Sequence, residues 1–105
     1  MKLEILGQRE KQAVQKEIIS KIRDLINYKN LEPGDRLPPE RLMSKKFGVS
    51  RRSLGKAIQK LEFYGLLKSK PQSGTFVANI GRLAMNRVIE EILALDEPDF
   101  KSPYS

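Results

Sequence analysis

The junction Phe47-Gly48-Val49-Ser50 constrains this chain more than any other feature. Gly48 fits the left-handed C-cap of one helix, Val49 is the apolar residue that follows such a cap, and Ser50 is a good N-cap for the next helix. Before the junction, Pro39-Glu40 can open a short helix running to about Lys46, with Leu42, Met43 and Phe47 on its buried side. After it, Leu54, Ala57, Ile58 and Leu61 fall at i, i+3, i+4 and i+7 of a helix from Arg51 to about Tyr64. Arg52, Lys56, Gln59 and Phe63 occupy the opposite stripe. Two amphipathic helices joined across so tight a turn form a helix-turn-helix.

The flanks complete the architecture. From Gln12 to Tyr28, Val14, Ile18, Ile22, Leu25 and Ile26 mark one face of a helix, which the turn-forming run Asn30 to Asp35, with Pro33-Gly34, stops. Arg36-Leu37 is a short extended piece. Beyond Gly65, Leu66–Ser69 and Gly74–Ala78 read as two strands joined by the basic loop Lys70-Pro71-Gln72-Ser73, with Phe76 expected in the core and Phe63 packed beneath the hairpin or on a neighbouring helix. A last amphipathic helix, Arg82 to Leu95, gathers Met85, Val88, Ile89, Ile92 and Leu95 on one side, a face that calls for a partner outside the domain. The expected fold is mainly α with a small β-hairpin: a winged helix-turn-helix followed by a C-terminal amphipathic helix.

Charge points to a ligand class. Of the 20 Lys and Arg, eleven fall in residues 36–82, against two of the 13 Asp and Glu there. Residues 83–105 reverse the balance, with two basic and five acidic side chains. A basic middle segment with neutral or acidic flanks reads as a surface for a polyanion. The chain has no Cys, no His and no Trp, so disulfide scaffolds, Cys/His zinc sites and Ser-His or Cys-His triads are excluded. No phosphate-binding glycine loop or paired carboxylates stand out, and neither an enzyme nor a cofactor is expected. Met1-Lys2-Leu3-Glu4 lacks a signal-peptide core and no apolar run approaches a membrane span, so a cytoplasmic location without membrane contact is expected.

Ser50, Arg51, Arg52 and Ser53 open the third helix, combining free backbone N–H groups, hydroxyls and two guanidinium forks. Helix N-termini bind phosphate and Arg forks match guanine O6 and N7, so double-stranded DNA is the favoured partner. The alternative is a complete small winged-helix module for RNA binding or protein docking. RNA recognition favours aromatic stacking platforms, and only Phe63 lies near the basic stripe.

Four fixed-spacing elements then carry a resemblance. Pro33-Gly34-Asp35-Arg36-Leu37-Pro38-Pro39-Glu40-Arg41-Leu42, Phe47-Gly48-Val49-Ser50-Arg51, Leu61-Glu62-x-x-Gly65-Leu66-Leu67 and Gly74-Thr75-Phe76-Val77 together resemble the N-terminal winged-helix domain of GntR-family bacterial transcription regulators over residues 12–79. The resemblance implies a repressor-type regulator that binds an inverted-repeat operator as a homodimer, with the third helix in the major groove and the wing near the minor groove. It implies DNA contacts at Arg41, Ser50, Arg51, Arg52 and Ser53, with Arg51 the foremost candidate for base reading; Lys56 joins them from the basic stripe, and Lys70, Gln72 and Ser73 are the wing candidates. Gly55 stands where the family usually has a long residue, which either opens a close approach to a backbone or passes that contact to Lys56. Gln72 stands where the wing tip usually has glycine.

The segment Ile89 to Phe100 resembles the opening of the all-helical effector domain of the fatty-acid-regulator-like subfamily. That implies a DNA-binding domain over residues 1–80, then over 81–105 a linker and the start of an effector or dimerisation domain that is largely outside the chain and through which a small-molecule effector acts. The other possibility is a complete small regulator whose last helix dimerises.

Overall fold

The computed structural model describes residues 2–95, in the order α1 (Lys2–Tyr28), α2 (Glu40–Phe47), α3 (Arg51–Phe63), β1 (Leu67–Lys70), β2 (Gly74–Val77) and α4 (Arg82–Leu95). Asp96 to Phe100, and with them the end of the second resemblance, lie outside the described residues.

Helix α1 begins well before the expected Gln12. The residues ahead of Gln12 are mostly Leu, Glu, Gln, Arg and Lys, strong helix formers that need no core-facing periodicity to extend a helix. Its buried face holds Ile18, Ile19, Ile22, Leu25 and Ile26, whereas Val14, expected on that face, is 37% exposed. Asn30, at φ 53°, ends the helix by accepting the left-handed C′ conformation, and the Leu31 N–H donates to the Ile26 carbonyl at 3.0 Å. Pro33-Gly34 then makes a separate turn, in which the Asp35 carboxylate accepts the Glu32 N–H at 2.7 Å.

The helix-turn-helix closes by the expected caps. Gly48 sits at φ 70°, and the Val49 N–H donates to the Ser44 carbonyl at 3.0 Å. Helix α2 buries Met43 and Ser44 with Phe47 partly covered, while Leu42, expected to be buried, is 50% exposed. In a helix of 8 residues the stripe through Met43 and Phe47 faces the core, and Leu42 lies one step round it. Helix α3 buries the predicted Leu54, Ala57, Ile58 and Leu61.

The sheet holds a third partner. β1 and β2 pair antiparallel with Leu67 opposite Val77, Lys68 opposite Phe76, Ser69 opposite Thr75 and Lys70 opposite Gly74. On its other side β2 receives the Leu37 N–H at the Thr75 carbonyl and gives the Val77 N–H to the Asp35 carbonyl, both at 2.8 Å, with Arg36 bridged to Phe76. β2 is therefore a central strand. Alternation turns Thr75 and Val77 inward and leaves Phe76 half-buried on the outer face, not in the core as expected.

Helix α4 corrects the expectation of an unpartnered apolar face. Met85, Ile89 and Ile92 are each 1% exposed within the same core as α1 and α3. Burial of a large aliphatic side chain contributes about 1.5–3 kcal/mol, so α4 is a structural part of the domain. A reciprocal amide pair, Asn27 with Asn86 at 3.0 and 3.3 Å, and a 2.7 Å bond from Arg82 Nη1 to Asn30 Oδ1 fix it antiparallel to α1.

Candidate nucleic-acid interface

The first turn of α3 is organised by its two serines. Ser50 Oγ accepts the Ser53 N–H and donates to Ser53 Oγ, both at 3.0 Å. One hydroxyl is thus committed to capping, and the Ser53 hydroxyl keeps its own proton for an external acceptor. Arg51 and Arg52, the first two residues after the cap, are exposed, and the turn contains no acidic residue. Lys56 and Gln59 continue the exposed stripe, and Arg41 is exposed on α2. Gly55 lies within that helix with nothing inside 4 Å of a Cβ built on it.

The wing supplies the second part. Lys70, Gln72 and Ser73 are all exposed, and the Ser73 N–H closes the turn onto the Lys70 carbonyl at 2.9 Å. Gln72 sits at φ 64°, the conformation for which glycine would be preferred. Lys70 belongs to β1 rather than to the loop, and its ammonium lies 5.0 Å from the centroid of the Phe76 ring. Phe63, expected to be packed, is 84% exposed at the end of the α3 stripe, where its ring meets Tyr64 edge-on.

Electrostatically the interface is unneutralised. Among the described residues, Arg41, Arg51, Arg52, Lys56, Lys68 and Lys70 have no carboxylate partner; two recorded ion pairs, Lys21 with Glu17 and Arg23 with Asp24, lie on α1. Among the described residues no group of His, Cys, Asp or Glu could hold a metal ion, and no helix is long and apolar enough to cross a membrane. Arg36 is the basic residue that sequence reasoning passed over. It lies outside the helix-turn-helix, and only its pairing with Phe76 brings it to the wing.

A serine-capped third helix, a tight turn and a trailing hairpin define a winged helix-turn-helix, the module that transcription regulators carry. Residues 14–77 match the bacterial regulatory proteins of the gntR family, and the chain belongs to that family. A regulatory protein of Escherichia coli named for the L-lactate dehydrogenase operon is 37% identical over 87 residues, covering 80% of this chain and 34% of its own length. The E. coli mannosyl-D-glycerate transport/metabolism system repressor MngR is 39% identical over 62 residues, 59% of this chain and 26% of the repressor. The DNA-binding domain of AraR, crystallised with an operator, superposes with a TM-score of 0.57 at 37% identity, covering 62% of this chain and 78% of that domain. These relatives are regulators, not enzymes. The chain spans about a third of the length of the first of them.

Proposed function

We propose that this chain is the operator-reading module of a transcription repressor, binding an inverted repeat in double-stranded DNA as a homodimer. The observation that carries the reading is the first turn of α3, a serine-capped helix N-terminus whose two exposed guanidiniums have no carboxylate partners among the described residues. Arg51 reads a base edge in the major groove. Arg52, Lys56 and the Ser53 hydroxyl hold the helix against the backbone, Arg41 does so from α2, and Ser50 acts through its cap. Lys70, Gln72 and Ser73 present the wing to the adjacent groove. The operator-bound AraR domain supports DNA as the partner, and the repressor MngR supports the sign of regulation.

In this proposal the reading module is residues 1–80 with α4 packed into its core, and the chain beyond α4 leads toward an effector and dimerisation domain through which a small molecule acts. The first relative, of whose length the matched region covers 34%, supports that division. The clasp of α4 on α1 makes the junction a fixed strut.

The test is binding of the parent and Arg51→Ala to duplexes selected from random sequence. A well-placed base contact contributes about 1–3 kcal/mol of discrimination, so the variant should bind more weakly and relax specificity within each half-site. Equal affinity and selectivity in the variant would remove α3 from the recognition role.

A further inference from the structure

The wing carries three cations on one face, drawn from two distant parts of the chain. Directly paired residues of adjacent strands project to the same side, so the bridge of Arg36 to Phe76 and the pairing of Lys68 with Phe76 set these three in a row across the sheet. Lys70, two residues along β1 from Lys68, shares that side, and its opposite number is Gly74. Gly74 places no side chain there and Arg36 uses the room: a Cβ on Gly74 would lie 3.1 Å from Arg36 Nε and 3.6 Å from its Cδ. The arginine therefore runs over the glycine toward Lys70, whose ammonium is itself steadied above the Phe76 ring. The other side of this sheet, with Leu37, Leu67, Thr75 and Val77, is buried. No carboxylate pairs with these cations among the described residues, and the nearest in sequence, Asp35, is turned to its own turn by the bond from the Glu32 N–H.

We propose that Arg36 is a contact to the sugar–phosphate backbone of DNA, delivered by the short extended segment that bridges to β2 and aimed by the absence of a side chain at Gly74. The inference rests on the DNA-binding reading of the chain. Three like charges held on one small face repel one another until an anion is placed among them. A row of cations lying flat on a sheet matches a run of phosphates, whereas reading base edges requires a side chain that projects into a groove. The residue thus extends the wing's footprint beyond its turn, from a part of the chain that precedes the helix-turn-helix.

The experiment compares parent, Arg36→Gln and Arg36→Lys by fluorescence anisotropy on a selected duplex and on an unrelated one, across a range of salt. Arg36→Gln should raise Kd several-fold by the same factor on both duplexes and lower the slope of log K against log salt by about one. Arg36→Lys should recover most of the slope. If Arg51→Ala relaxes specificity while Arg36→Gln leaves Kd and slope unchanged, the Arg36 proposal falls and the DNA-binding reading stands. If Arg36→Gln weakens the selected duplex alone, the arginine reads bases and the backbone assignment is overturned. A parent that binds no duplex in a salt-dependent way removes both readings together.

Discussion

Gln72 and Gly55 are paired exceptions to ordinary residue preference, one a side chain where glycine fits and the other a glycine where a side chain fits. Gln72 holds φ 64° at the tip of the wing turn, a conformation costing a non-glycine residue about 1–2 kcal/mol. Gln72→Gly should therefore stabilise the fold by about 1 kcal/mol, seen as a rise of about 4–8 °C in the melting midpoint for a domain of this size. If the amide meets the groove as proposed, the same variant binds operator less tightly despite its higher midpoint; unchanged affinity would reduce Gln72 to a tolerated turn residue. Gly55 has a helical backbone and open space around a built Cβ, so Gly55→Ala should stabilise α3 by about 1 kcal/mol. Where DNA approaches the helix at that gap, the added methyl should weaken operator binding as stability rises. Melting curves and anisotropy on one preparation of each variant separate the two effects.

At the scale of elements, α4 is the informative case. Ile92 is 1% exposed in the core shared with α1, so Ile92→Ala should destabilise the folded chain by about 2–5 kcal/mol. Sedimentation of a still-folded sample should show no change in mass, since the side chain packs within one chain; conversion of a dimer to a monomer would instead place it between subunits. Asn86→Ala strands the Asn27 amide in a part-buried site and should cost about 1–3 kcal/mol, with a double-mutant cycle showing coupling between the two. The bounds of α2, α3 and α4 were legible in the sequence because caps and apolar periodicity are local signals: Gly48, Ser50 and Gly65 each act within a few residues of themselves. The partner of α4 was not legible. Periodicity through Met85, Ile89 and Ile92 states that a face is buried, not that α1, some 59 residues upstream at the Asn27–Asn86 pair, covers it. The same limit explains the site: Arg52 and Lys56 follow from one helix wheel and Arg51 from its place at a helix N-terminus, whereas Arg36 joins the wing through a single bridge that has no period.

For the whole molecule, the uneven charge sets how binding responds to its surroundings. With eleven basic and two acidic side chains in residues 36–82, operator affinity should fall steeply as salt rises, with a slope of about −0.9 per phosphate contacted. A titration from low to physiological salt measures it, and a flat response would deny the face any role with a polyanion. If dimerisation belongs to the proposed C-terminal domain, the isolated chain should bind each half-site almost independently. It should then bind a full operator more weakly than a longer relative, by as much as about 10²–10⁴-fold, the usual gain from joining two sites. The central position of β2 has a further consequence, for how the molecule is made. A lone two-stranded hairpin is marginal in water, and this one is completed by residues 34–37 from the other side of the helix-turn-helix. The sheet cannot close until the chain has been synthesised through Val77, by which time α1, α2 and α3 are already available to pack. The Leu37 and Val77 amides should accordingly gain protection together in pulsed hydrogen exchange, after those within α3. A nascent chain halted before Val77 would hold its recognition helix with no wing beside it, so competence for DNA arrives in one late step.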